Sequence, residues 1–111
     1  MFAEVKSMLP VSGNGYDRDI IIQIKAAVAD LTKTEQIVLP GIVNISISGQ
    51  GVITDNSTLT DEYVITAIAT WCNMHIGNPP NYDNLSKAYH TMKGNMRMSK
   101  AYKAAPEEEG T

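Results

Sequence analysis

The chain is poor in the residues that carry chemistry. Its 111 residues include one cysteine and two histidines. A single cysteine excludes an internal disulfide and a Cys-rich zinc site. His75 and His90 fall on different predicted helices, with no third ligand at a recognisable spacing. No metal or cofactor is therefore expected. Cys72 has no base beside it in sequence, so an inert buried thiol is the plain reading. Gly13-Asn14-Gly15 lacks the preceding strand, the Lys and the Ser/Thr of a phosphate loop, and reads as a turn. No nucleophile–base pair stands out, so the chain is not expected to be an enzyme. Aromatic residues make up only 6% of the chain. No stretch approaches the roughly 18 apolar residues of a membrane span. The N-terminal MFAEVKSMLPVSG lacks the basic start and long apolar run of a signal peptide. The expectation is a soluble protein that folds in a reducing cytoplasm.

What is present suffices for one small domain. Apolar residues make up 43% of the chain, and the net charge is -3. An acidic total argues against a nucleic-acid binder as a whole.

The clearest pattern lies between Thr60 and Met98. Thr60 is a candidate N-cap, followed by Asp61 and Glu62 where carboxylates suit the helix dipole. Leu59 and Val64 stand at the spacing of a hydrophobic staple. Val64, Ile65, Ile68, Trp71, Cys72 and His75 or Ile76 recur at the helical period. Gly77 and Pro79-Pro80 end that helix. A second helix restarts near Asn81 to Asp83, with Tyr82, Leu85, Tyr89, Met92 and Met96 as a narrow apolar seam. So short a corner predicts an antiparallel helical hairpin.

Ahead of it, Phe2, Val5 and Met8 or Leu9 mark one side of a short helix, residues 2–9, stopped by Pro10. Too short to be stable alone, it must dock on its own domain or on a neighbouring subunit. Asp17 to Leu31 reads as a helix with Ile20, Ile21, Ile24, Val28 and Leu31 on its buried face, widened by Ile22 and Ala27. Glu35 to Leu39 reads as an extra helical turn or the start of a strand. Val43, Ile45 and Ile47 then alternate with polar residues, and Gly49-Gln50-Gly51 can reverse the chain so that Val52-Ile53 pairs back. This insertion, residues 37–59, is a β-hairpin or an extended loop. A lone hairpin is marginal in water, and a neighbouring subunit is a natural cover for its edges.

The fold class expected is mainly α: a bundle of about four helices, with the insertion between the second and third. Residues 1–103 form the domain. Residues 104–111, with three adjacent glutamates, form a flexible acidic tail. Ile24, Val28, Val64, Ile68, Trp71, Leu85, Tyr89 and Met92 are the predicted core.

Lys87, Lys93, Arg97, Lys100 and Lys103 place five positive charges between residues 86 and 103, with no acid among them. A solvated face is the plainer reading, since cations suit a helix C-terminus. Contact with DNA phosphates or an acidic partner is the functional one. Met92, Met96 and Met98 read as core filling, with Met74 opposite, or as an adaptable contact surface.

An apolar helix ending in an aromatic and Ile-Gly (AIATWCNMHIG, 67–77), a short break, Tyr82 and Tyr89, then Met98-Ser99 and Tyr102 together resemble a known family. It is the head–tail connector, or head-completion adaptor, proteins of long-tailed double-stranded DNA bacteriophages. The short opening helix in FAEVKSMLP and the acidic-started helix in YDRDIIIQIKAAVADLT fit the same pattern. The resemblance covers roughly residues 2–102. Two departures are Trp71-Cys72-Asn73, where a Tyr-containing aliphatic stretch is expected, and the long segment Ile37 to Leu59.

The resemblance implies a virion structural protein that forms a homo-oligomeric ring, commonly twelve-fold, beneath the portal protein. Such a ring extends the channel, docks a tail-completion or tail-terminator protein, and lets packaged DNA pass without sequence-specific binding. It implies localisation at the head–tail interface of the virion, after assembly in the bacterial host cytoplasm, and no membrane partner. Phe2, Val5, Leu9, Val43, Ile45, Ile47, Val52 and Tyr102 are the candidate subunit, portal or tail contacts. The alternative is a small nucleic-acid-binding or regulatory module that reads through the basic last helix. Against it stands the lack of a helix-turn-helix pattern.

Overall fold

The computed structural model describes residues 1–77 and 79–103. The order is α1 (Phe2–Ser7), α2 (Asp17–Ala29), β1 (Ile45–Ile47), β2 (Ile53–Asp55), α3 (Glu62–His75) and α4 (Tyr82–Met98). A π-helical turn, Asp30–Thr34, prolongs α2, and a 3₁₀ turn, Lys100–Tyr102, follows α4. The molecule is mainly helical with a two-stranded antiparallel hairpin between the second and third helices, as expected. The predicted acidic tail lies outside the described residues.

α3 is the centre. Val64, Ile65, Ala67, Ile68, Ala69, Cys72 and Met74 are all buried, which is more than one stripe. A helix apolar over most of its circumference must be surrounded. α1, α2 and α4 all pack on it. Its cap is Asp61, not Thr60: Asp61 Oδ1 accepts the Val64 N–H at 3.1 Å. A carboxylate both accepts the orphan N–H and puts charge at the positive end of the helix. At the far end Gly77 has φ +75°, the left-handed geometry that ends a helix without a Cβ penalty.

α2 lays Ile20, Ile21, Ile24 and Ala27 into the core, and Leu31 continues the face into the π turn. Val28 is half-buried. Ile22, expected to widen the face, is 55% exposed. Two residues at about 100° each carry it from Ile20 to the opposite side. Gln36, with φ +58°, turns the chain out of the helix, and Ile37 to Leu39 run neither as helix nor as strand.

α4 runs antiparallel to α3. Asn95 Nδ2 donates to Tyr63 Oη at 2.9 Å near one end, and Trp71 meets Tyr89 edge-on at 5.2 Å between ring centroids further along. Only Tyr89, Lys93 and Met96 of α4 are buried. Of the predicted core, Ile24, Val64, Ile68 and Tyr89 are buried, whereas Val28, Trp71, Leu85 and Met92 are partly buried at its margin. Trp71 sits at a seam, its indole N–H donating to Gln23 Oε1 at 2.9 Å. An indole whose N–H must reach a polar partner stays near an edge.

α1 docks on its own domain. Phe2, Val5 and Leu9 are 8%, 0% and 7% exposed and belong to the core, so they are not surface of the folded chain. This corrects their expected place among the subunit contacts. The start of α1 is held from afar: Asp55 Oδ2 accepts the Phe2 N–H at 2.7 Å and the Met1 amino group at 2.9 Å.

The hairpin pairs Ile45 with Asp55, Ser46 with Thr54 and Ile47 with Ile53. Bonds from Ser48 N–H to Val52 O, Asn56 N–H to Asn44 O and Thr58 N–H to Ile42 O continue the ladder on both sides. The insertion is thus a ribbon, not a loose loop. At its base a Cβ on Gly41 would lie 2.6 Å from Leu59 Cα, so only glycine allows the two segments to pass. Ile45 is buried, Val43 and Ile47 are half-buried, and Val52 is 64% exposed.

Candidate functional site

The basic strip of the last helix is not what its sequence suggests. Lys93 is 8% exposed. Its Nζ lies 3.1 Å from Asp30 Oδ2 and 3.1 Å from Glu35 Oε2. Tyr89 Oη donates to the same Asp30 oxygen at 2.7 Å, and Arg97 reaches Glu35 at 2.8 Å. Lys93 also lies over the Tyr89 ring, 5.1 Å from its centroid. Burial, the bond to Asp30 and the two nearby carboxylates push the Tyr89 hydroxyl far above its usual range. Two of the five candidate DNA-channel or acidic-partner residues, the buried Lys93 and the exposed Arg97, are therefore paired with acids of the same chain. Lys87, Lys100 and Lys103 remain exposed. The physical reason is placement. The π turn brings Asp30 and Glu35 under α4, so acids absent from the strip's own sequence neutralise its centre.

The chain beyond α4 is strapped down. Tyr102 Oη donates to Asp61 Oδ2 at 2.9 Å, and Val38 N–H donates to Tyr102 O at 2.8 Å. Burial and the Asp61 carboxylate push the Tyr102 hydroxyl up to about 12. Tyr102, a candidate contact residue, is half-buried in this intramolecular role. One carboxylate, Asp61, thus both caps α3 and anchors the last turn.

At the opposite end lies a groove of about 620 Å³. One wall is the exit from α1, with Met8, Leu9, Pro10 and Val11, joined by Tyr16. The other is the corner after α3, with Asn73, Ile76, Gly77, Pro79 and Pro80. Met8 and Tyr16 are 45% and 43% exposed. Two prolines in succession stiffen that wall, since each fixes φ. Sequence reasoning found the Pro79-Pro80 corner as a helix stop only. It did not bring the corner to Tyr16, a separation no local pattern encodes.

The remaining candidates take structural places. His75 stacks on Trp71 at 4.2 Å between centroids, and its Nδ1 lies 2.9 Å from Trp71 O. Cys72 is buried, and burial pushes its thiol up to about 12. Asn14 O accepts the Asp17 N–H, so Gly13-Asn14-Gly15 forms the turn into α2. Met96 and Met74 are buried, Met92 is half-buried, and Met98 is 82% exposed. Among the described residues no group of His, Cys, Asp and Glu is placed to hold a metal ion, and no helix is long and apolar enough to cross a membrane.

Comparison with family models, with curated proteins and with solved structures finds no match in any of the three.

Proposed function

We propose that the chain is a structural adaptor of the head–tail connector kind. In this reading copies assemble as a ring, commonly twelve-fold, on a portal protein, extend the DNA channel and offer a docking surface to a tail-completion protein. The observation that carries it is the groove between the α1 exit and the Gly77-Pro79-Pro80 corner. It is mixed in character, with Ser7, Asn73 and Asn81 among its apolar residues, stiff-walled, and rimmed by the exposed Met8 and Tyr16, the makings of a protein-docking site. The short opening helix, the acidic-started helix and the closing helical hairpin also fit the pattern of the resemblance, whereas the ribbon lies in the segment that departs from it. The nucleic-acid alternative has less to draw on, because Lys93 and Arg97 are paired internally.

The test is native mass measurement of the purified chain, alone and with a candidate portal ring. The expected result is a monomer or weak associate alone, and a discrete ring of copies on the portal. Tyr16→Asp should weaken that capture while leaving the circular dichroism of the chain unchanged, because Tyr16 is half exposed. Failure of the wild-type chain to bind any portal assembly, with the chain folded, would sink the adaptor reading.

A further inference from the structure

The ribbon has one open edge. In an antiparallel pair, residues alternate between those bonded to the partner strand and those whose backbone points away. The bonds between 44 and 56, 48 and 52, and 42 and 58 fix the even residues as the bonded set. The N–H and C=O groups of Ile53 and Asp55 therefore point outward from β2, and no protein group among the described residues pairs with them. β1 has the same alternation, but its middle is covered: Ile45 is 3% exposed. No residue of β2 is buried. β2 is the strand left to pair.

The ribbon itself is nearly free of charge. Between Gln36 and Thr60 the only charged residue is Asp55. Its carboxylate turns inward to the start of α1. The outer face carries Ile42, Asn44, Ser46 and Ser48 on one side of the turn and Val52, Thr54, Asn56 and Thr58 on the other, all exposed. Exposed edges are normally guarded by charge, especially Lys, or by Pro. This one has neither. A charged partner gains nothing here. A second copy of the same chain brings no charge on its own ribbon except the inward-turned Asp55, although the chain as a whole carries -3.

We propose that β2 pairs antiparallel with β2 of a second copy, making one four-stranded sheet across a two-fold axis. Backbone direction restricts the register to pairs of outward-facing residues. The register that uses both of them bonds Ile53 of each copy to Asp55 of the other, and Thr54 then faces its own counterpart at the axis. Such facing residues form a non-hydrogen-bonded pair, with side chains close together on the outer face. This pairing concerns the isolated chain and stands apart from the adaptor reading.

The experiment is site-specific disulfide trapping in the full chain. Cys72 is buried, so each introduced thiol is the accessible one. Thr54→Cys should form an intermolecular disulfide under mild oxidation. Val52→Cys is an equally exposed control. In this register the two copies of position 52 lie about 13 Å apart along the strands, four residues at the strand rise, beyond the reach of a disulfide. The expected result is a cross-linked dimer from Thr54→Cys and its loss in Val52→Cys. Thr54→Lys in the otherwise unaltered chain should abolish concentration-dependent dimer in sedimentation, with circular dichroism unchanged. Equal cross-linking of both cysteine variants, or none from either, would overturn the pairing. Portal binding by a chain that gives no disulfide would leave the adaptor reading intact and remove only this one.

Discussion

α3 is held on two sides by different forces. Against α2 and α1 the contact is dry: Val5, Ile20, Ile24, Val64, Ile65 and Ile68 are at most 1% exposed. Against α4 it is mixed. Tyr89 and Met96 supply the buried apolar area, and the outer margin of α4 is fixed to the π turn by Asp30, Glu35, Lys93 and Arg97. The dry side draws on non-directional burial, which tolerates small shifts. The mixed side draws on oriented charges, and loss of the buried Lys93 leaves two half-buried carboxylates without their shared cation. Charged pairs therefore dominate the placing of α4, while volume dominates for α1 and α2, helped by the Asp55 anchor at the start of α1 and the Trp71–Gln23 bond to α2.

The largest effect should come from the dry side. Ile68→Ala removes a fully buried side chain from the central helix and should cost about 4 kcal/mol, read from the shift in denaturant midpoint. A cost well under about 1 kcal/mol would mean that the dry side collapses around the void and is not tightly packed.

Breaking the mixed side should cost somewhat less. Lys93→Met keeps much of the side chain's apolar bulk but leaves Asp30 and Glu35 facing each other beside Tyr89. A loss of about 3 kcal/mol is expected. Lys87→Met, on the exposed face of the same helix, should change stability by less than about 0.5 kcal/mol. Equal midpoints for the two lysine variants would erase the distinction between clamp and solvated strip.

The smallest effect separates the charges on the dry side from the clamp. Burial alone would raise the Asp55 carboxyl, but the Phe2 N–H, the amino group of Met1 and Ser57 outweigh it and hold the group well below the usual carboxylate range. A carboxylate lowered in the folded state adds stability that is fully present above its unfolded value, about 4. That stability is lost as pH falls from there toward the folded value. Between about pH 5 and pH 3 the wild type should therefore lose stability that Asp55→Asn does not lose, on the order of 1 kcal/mol. Parallel pH curves for the two proteins would show that Asp55 does not anchor α1.

The helices were legible because their signals are local. The 3.6-residue spacing of Val64, Ile65, Ile68 and Cys72, the stop at Gly77 and the period-two run through Val43, Ile45 and Ile47 each sit within a few residues. They led to the mainly helical class, the place of the ribbon and the antiparallel hairpin of α3 and α4. The short first helix was legible as a helix, but not its destination. Phe2, Val5 and Leu9 are equally apolar whether they meet a neighbour or their own core.

What local pattern left open was settled by contacts between residues far apart in the chain. Lys93 and Asp30 are 63 positions apart, and Phe2 and Asp55 are 53. Charge and hydrogen-bonding capacity are written in the sequence, but which partner uses them depends on where the backbone brings two segments together. The elements, their order and the neutral character of the ribbon follow from neighbouring residues alone. Only the fold closed the basic strip with acids from the π turn, built the groove from Tyr16 and the Pro79-Pro80 corner, and covered one edge of the ribbon while leaving the other open.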